Sequence, residues 1–149
     1  MFTSRVIRQS VSRTVAQVMA VAGQLERLPE WASGFAHGVE RASVPALDEQ
    51  GAPRERWLVE SPFGRIEVEF LVDVERGILD HDVTMPDGSI VHNRLRVEPR
   101  LHGSDIVFTL VRLPTMTDEQ WRDDDRAVAA DLRRLAELCE SEVCEKIDE

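Results

Sequence analysis

The residues whose types and spacing can do chemistry cluster around one turn. Leu79-Asp-His-Asp-Val-Thr-Met85 and Ser89-Ile-Val-His-Asn-Arg-Leu95 flank Pro86-Asp87-Gly88. Proline presets the first turn residue and glycine supplies the left-handed one, so a three-residue hairpin loop with a bulge is expected. Met85 then pairs with Ser89. Leu79 faces Leu95, His81 faces Asn93 and Val83 faces Val91 on one side of the sheet, while Asp80 faces Arg94 and Asp82 faces His92 on the other. A two-residue loop would mix the faces, setting His81 against Arg94 and Asp82 against Asn93.

One His and one Asn thus stand on an otherwise apolar face. Neutral His81 can donate to or accept from a ligand carbonyl or enol, or act as acid or base near neutral pH, with Asn93 fixing its tautomer or sharing the ligand oxygen. The competing reading is that the two satisfy each other inside the core, as buried polar groups usually do. Asp80, His81, Asp82 and His92 do not make a metal site, because alternation sends His81 to one face and the other three to the opposite face. Asp82 with His92 and Asp80 with Arg94 read as exposed cross-strand pairs worth about a few tenths of a kcal/mol each. No nucleophile elbow, phosphate loop or dinucleotide fingerprint occurs, so no cofactor is called for and any catalysis must be acid/base or positional.

The elements that position these residues follow from periodicity. Val6 to Val11 reads as a strand. From Ser12, taken as the N-cap, Val15, Val18, Met19 and Ala22 recur at helical spacing until Gly23. Leu25, Leu28 and Trp31 continue an apolar stripe across Pro29, which predicts a second short helix at an angle. Beyond Phe35 the period becomes two. Trp57 and Val59, then Ile66, Val68, Phe70 and Val72, alternate with charged neighbours on either side of a turn at Pro62-Phe63-Gly64. A last strand spans Asp105 to Leu113 after a turn at His102-Gly103-Ser104; both parities are apolar there, so its inward face stays open. Thr117-Asp-Glu-Gln120 is a capping box. Behind it Trp121, Val128, Leu132, Leu135 and Cys139, broadened by Ala129, Leu138 and Val143, form one face of a long helix whose acidic face is expected to meet water. Trp31 and Trp121 are read as core anchors.

That order resembles the helix-grip fold of the START and birch-allergen-like SRPBCC superfamily. Leu28-Pro-Glu-Trp31-Ala-Ser-Gly-Phe35 is similar to the corresponding stretch of bacterial members described as polyketide cyclase/dehydrase and lipid-transport proteins, and Leu79 to Gly88 with Val91-His-Asn93 resembles a subgroup of uncharacterised bacterial members. The resemblance covers essentially the whole chain and implies an α+β domain, residues 1–149. A curved antiparallel sheet of six to seven strands would wrap a long C-terminal helix, with two short helices after the first strand. It places a cavity between sheet and helix, with Trp57, Val68, Phe70, Leu79, His81, Val83, Val91, Asn93, Leu95 and Leu132 as its expected lining. Arg112 is a further candidate for pairing with an acidic ligand. The fold specifies architecture better than activity.

Three functions follow: binding of a small hydrophobic or aromatic molecule; a polyketide cyclase or dehydratase-like enzyme with His81 as acid/base and Asn93 as orienter; and an interaction module with a filled core, as a homodimer or with another partner. The first two require a cavity of roughly several hundred cubic ångströms containing His81.

Composition narrows the field. The chain has 149 residues, with 28 Asp and Glu against 18 Lys and Arg, a net charge of −10. That is too negative for a surface meant to neutralise phosphates, which argues against nucleic acid. Residues 118–149 carry 12 acidic against 5 basic residues, so most of the excess belongs to the last helix. No apolar run is long enough to insert into a membrane. The first ten residues lack the apolar stretch of a secretory signal, and Cys139 and Cys144, five residues apart on one helix, are poor disulfide partners; the expectation is a cytoplasmic chain with reduced thiols.

Overall fold

A computed structural model describes residues 4–42, 46–47 and 53–142. Val143 and Cys144 lie outside the described residues. Strand β1 (Ser4–Val11) leads to helix α1 (Val15–Ala22), one 3-10 turn (Leu25–Arg27) and the single helical turn α2 (Leu28–Trp31). Strands β2 (Gly38–Arg41), β3 (Ala46–Leu47), β4 (Pro53–Ser61), β5 (Gly64–Asp73), β6 (Ile78–Thr84), β7 (Ile90–Arg100) and β8 (Gly103–Val111) follow, and helix α3 (Asp118–Glu142) completes the order. The strands form one antiparallel sheet in the order β1-β8-β7-β6-β5-β4-β2, with two-residue β3 pairing alongside β4. This is an α+β helix-grip fold: a curved sheet closed by one long helix. Among the described residues no helix is long and apolar enough to cross a membrane.

Local chemistry explains each boundary. The cap of α1 is Thr14 rather than Ser12. Thr14 Oγ1 accepts the Gln17 N–H at 3.2 Å while the Thr14 N–H donates to Gln17 Oε1 at 2.8 Å, a complete capping box. Ser12 is diverted, its N–H donating to Glu140 at 2.9 Å. Pro29 sits in the first turn of α2, where its missing N–H has no helical partner to lose. Thr117 and Gln120 cap α3 reciprocally at 2.9 and 3.0 Å. The turns flanking β4–β5 and β7–β8 are each one residue tighter than the glycines suggest. Ser61 pairs with Gly64 and Arg100 with Gly103, so both glycines open strands and the last strand runs 103–111, not 105–113.

The central hairpin has the expected three-residue loop. Thr84 pairs with Ile90, Val83 with Val91, Asp82 with His92 and His81 with Asn93, and Gly88 adopts the left-handed φ of 90° the bulge needs. One pairing differs. Asp80 does not partner Arg94; its Oδ1 accepts the Leu95 N–H at 3.1 Å and Arg96 Nε at 3.0 Å, and its Oδ2 accepts Arg96 Nη2 at 2.6 Å. The Arg96 guanidinium, diagonal to Asp80, thus grips the carboxylate through two nitrogens.

Alternation along the strands then builds the inner wall. Trp57 and Val59, Ile66, Val68 and Phe70, Leu79 and Val83, and Leu95 and Val97 are all buried. On β8 the inward parity is Ile106, Phe108 and Leu110, while Val107 is buried too, which is why its pattern alone is ambiguous. Trp121, Leu132, Leu135, Ala136 and Cys139 of α3 close the core, and Arg5 of β1 lies over the Trp121 ring at 5.4 Å. Burying one such Leu removes about 2–3 kcal/mol worth of apolar surface from water, so the grip is held mainly by hydrophobic burial.

Candidate functional site

Between sheet and helix the core is not filled. A pocket of about 150 Å³, open to solvent where the exposed Phe63 stands, is lined chiefly by four sets of residues. The sheet wall is Phe70, Leu79, His81, Val83, Val91, Asn93, Leu95, Phe108 and Leu110; the α3 wall is Asp124, Val128, Asp131 and Leu132. Leu28, Trp31, Ala32 and Phe35 cover one end, and Phe63, Met85, Leu113 and Met116 come from the loops. Its volume is smaller than several hundred cubic ångströms. It is close to an engineered apolar cavity of about 150 Å³ that takes up benzene, so its sheltered part accommodates about one aromatic ring.

Eight of the ten expected lining residues therefore stand on the cavity wall. Trp57 and Val68 do not; they lie in the same core away from it. Trp57 sits beneath the Arg41 guanidinium at 4.9 Å and donates through Nε1 to Glu55 at 3.3 Å. Arg112 is also elsewhere, held by the Met116 carbonyl at 3.0 Å and Asp118 at 2.6 Å. On the outer face Asp82 meets His92 Nδ1 at 2.7 Å.

His81 and Asn93 face each other across β6 and β7, yet no hydrogen bond joins their side chains. His81 Nδ1 lies 3.1 Å from the Leu79 carbonyl. A carbonyl only accepts, so Nδ1 carries the proton and Nε2 of the neutral ring is left as a lone pair. Phe70 and Phe108 flank the imidazole at centroid distances of 5.3 and 5.9 Å. Burial among them pushes the His81 pKa below the ordinary histidine value, partly offset by the Leu79 hydrogen bond and the charges of Asp80 and Asp82. At neutral pH the ring is uncharged. The site thus offers one acceptor nitrogen and one carboxamide on a dry wall, both without a protein partner among the described residues.

Reading the acidic face of α3 as solvated misses two residues. Asp131 is buried at 7 % exposure and Asp124 is half-buried, and both line the cavity. Desolvation raises both pKa values; for Asp124 the like charge of Asp125 adds to it, and for Asp131 the Gly34 N–H and Arg134 pull it back. Asp131 accepts the Gly34 N–H at 3.2 Å and pairs with Arg134, whose Nε donates to the Trp31 carbonyl at 3.0 Å. This network fastens α2 to α3 at one end of the cavity. The signal in the sequence was spacing: Trp121, Asp124, Val128, Asp131 and Leu135 follow the three-four rhythm of the apolar stripe.

A sheet gripping a long C-terminal helix around an apolar pocket is the helix-grip architecture, and solved structures share it. The aromatase/cyclase Zhui from Streptomyces sp. R1128 superposes with a TM-score of 0.70 over 96 % of both chains at 15 % identity. Ara h 8.0201 gives a TM-score of 0.65 over 95 % of this chain and 99 % of its own at 12 % identity. An uncharacterised protein from Rhizobium leguminosarum gives 0.60 over 95 % and 97 % at 20 % identity. No family model and no curated protein matches the sequence. Similarity at this level is similarity of fold.

Proposed function

We propose that this protein is a cytoplasmic binding module for a small hydrophobic molecule of about one aromatic ring, held in the cavity between the sheet and α3. The observation that carries it is the unpartnered His81 and Asn93 pair on an apolar cavity wall. A void lined by apolar groups alone needs no polar handle, whereas a ligand oxygen or amine gains orientation from one. Native mass spectrometry with extraction of small molecules tests it. A one-to-one adduct, or uptake of a one-ring guest by the purified chain, is expected; a chain that excludes every such guest overturns it. The same spectrum reports whether two copies associate.

A cyclase or dehydratase-like activity is the second reading, favoured by the His81 geometry. An uncharged imidazole whose Nδ1 is anchored leaves Nε2 to take a proton from a bound substrate, with Asn93 orienting the carbonyl. Its structural similarity to an aromatase/cyclase is consistent with this. With the molecule recovered above as substrate, His81→Ala should retain binding and lose turnover; unchanged turnover retires the enzyme reading.

A further inference from the structure

The ionisable groups on the cavity wall are one imidazole and two carboxyls, and no lysine or arginine is among the described residues that line it. Asp131 is charge-paired with Arg134 and takes the Gly34 N–H on the same oxygen, Oδ1. Asp124 is not: it has no hydrogen bond or ion pair to any described residue. The neighbouring cations are directed elsewhere: Arg126 pairs with Asp123 at 2.5 Å, Arg5 of β1 pairs with Asp125, and Arg122 is exposed and acts on Asp118. On the sheet wall, His81 presents a lone pair at Nε2 rather than a donor. An anionic head entering this cavity would be buried against carboxyls and a lone pair with no compensating cation, the costliest form of charge burial. A donor head would instead meet the Asp124 carboxylate and the His81 lone pair, and a hydrogen bond to an ionised carboxylate is about twice as strong as a neutral one; the donors on the described lining, the Asn93 amide and the unpartnered Trp31 Nε1–H, are neutral and do not cancel a buried negative charge.

We propose that the cavity selects ligands whose apolar body carries a hydrogen-bond donor, a protonated amine or a hydroxyl, and rejects carboxylates such as fatty acids, with Asp124 as the residue that sets this preference. The proposal rests on the binding reading above and narrows its ligand class.

Benzylamine, benzyl alcohol and benzoate share one ring and nearly one shape, so their dissociation constants for the full chain, measured by NMR titration at pH 7, isolate the head group. Benzylamine and benzyl alcohol should bind at least about tenfold more tightly than benzoate. Asp124→Asn should cut the benzylamine-to-benzoate ratio by about tenfold while leaving benzyl alcohol within about threefold of the wild type. Asp123→Asn is the control, because Asp123 is exposed and removing it changes net charge equally. Benzoate binding as tightly as benzyl alcohol to the wild type overturns the proposal, whatever the variants do. So does an equal response to both substitutions, which would assign the effect to overall charge. Equal binding of all three probes leaves the binding reading standing and sinks only the selectivity; failure of all three to bind counts against the binding reading and takes the selectivity with it.

Discussion

Leu132→Ala probes the grip and the cavity together. Leu132 is 1 % exposed, sits on the α3 wall and borders the void. Truncation removes the equivalent of three methylenes from an apolar site, about 2.4 kcal/mol at about 0.8 each. Each cubic ångström left unfilled adds about 24 cal/mol, so about 50 Å³ of residual space adds about 1.2 kcal/mol. The expected loss is about 3–4 kcal/mol, read as a lower urea midpoint at unchanged slope. The second consequence is functional. Because the deleted volume adjoins the existing cavity, the variant should admit a second ring: 1-naphthalenemethanol should raise its midpoint more than that of the wild type, approaching about 2.7 kcal/mol at a hundredfold excess over its dissociation constant. A loss below about 1 kcal/mol, or the same ring-size preference in both proteins, would show that α3 does not close the cavity at Leu132.

Other perturbations test other parts. Asp131→Ala strands the Gly34 N–H and Arg134 and should cost about 2–4 kcal/mol, whereas Asp131→Asn, which keeps an acceptor for Gly34, should cost about half as much in the same denaturation assay. Gly77→Ala should cost about 2 kcal/mol or more, since φ is +68° and a Cβ would lie 2.4 Å from the Val97 carbonyl oxygen; Gly88→Ala, with φ +90° but open space around it, should cost about half that. His81 has a lowered folded pKa, so the unfolded chain binds the extra proton first as pH falls. Its contribution is complete above pH about 6.5 and is lost below it, by at most about 1.4 kcal/mol per pH unit. His81→Leu should flatten the stability curve between about pH 5 and 6.5; Asp124 and Asp131, with raised values, act with the opposite sign nearer the carboxylate range. An unchanged slope in the variant would place the titration elsewhere.

The polar pair is legible in the sequence because a three-residue loop fixes parity, and parity puts every side chain of β6 and β7 on a definite face. The capping box at Thr117 is legible for the same reason: its chemistry is local. Where the outcome depends on packing between distant segments, type and period are silent. The cap of α1 is not such a case: Thr14-Val-Ala-Gln17 carries the same local box as Thr117–Gln120, a signal that starting the helix at Ser12 overlooks. Ile106 and Val107 are both buried, so alternation cannot say which side of β8 faces the helix. Asp80 pairs with the diagonal Arg96 although Arg94 stands opposite, a choice between two identical side chains that residue type cannot make. Asp124 and Asp131 read as solvent-facing by type, although their spacing with Val128 and Leu135 places them on the buried stripe. The Asp pair is therefore the part of the site that residue type hides and helical phase reveals.

His81 is proposed to offer Nε2 as an open acceptor to a guest in the cavity. A long-range ¹H–¹⁵N spectrum of the imidazole, taken at pH 7 with and without benzyl alcohol, tests it directly. A neutral ring protonated at Nδ1 is expected, with an Nε2 resonance that shifts as the alcohol saturates the cavity while Nδ1 stays fixed on the Leu79 carbonyl. A ring protonated at Nε2, or an Nε2 resonance that does not move at saturation, would contradict it.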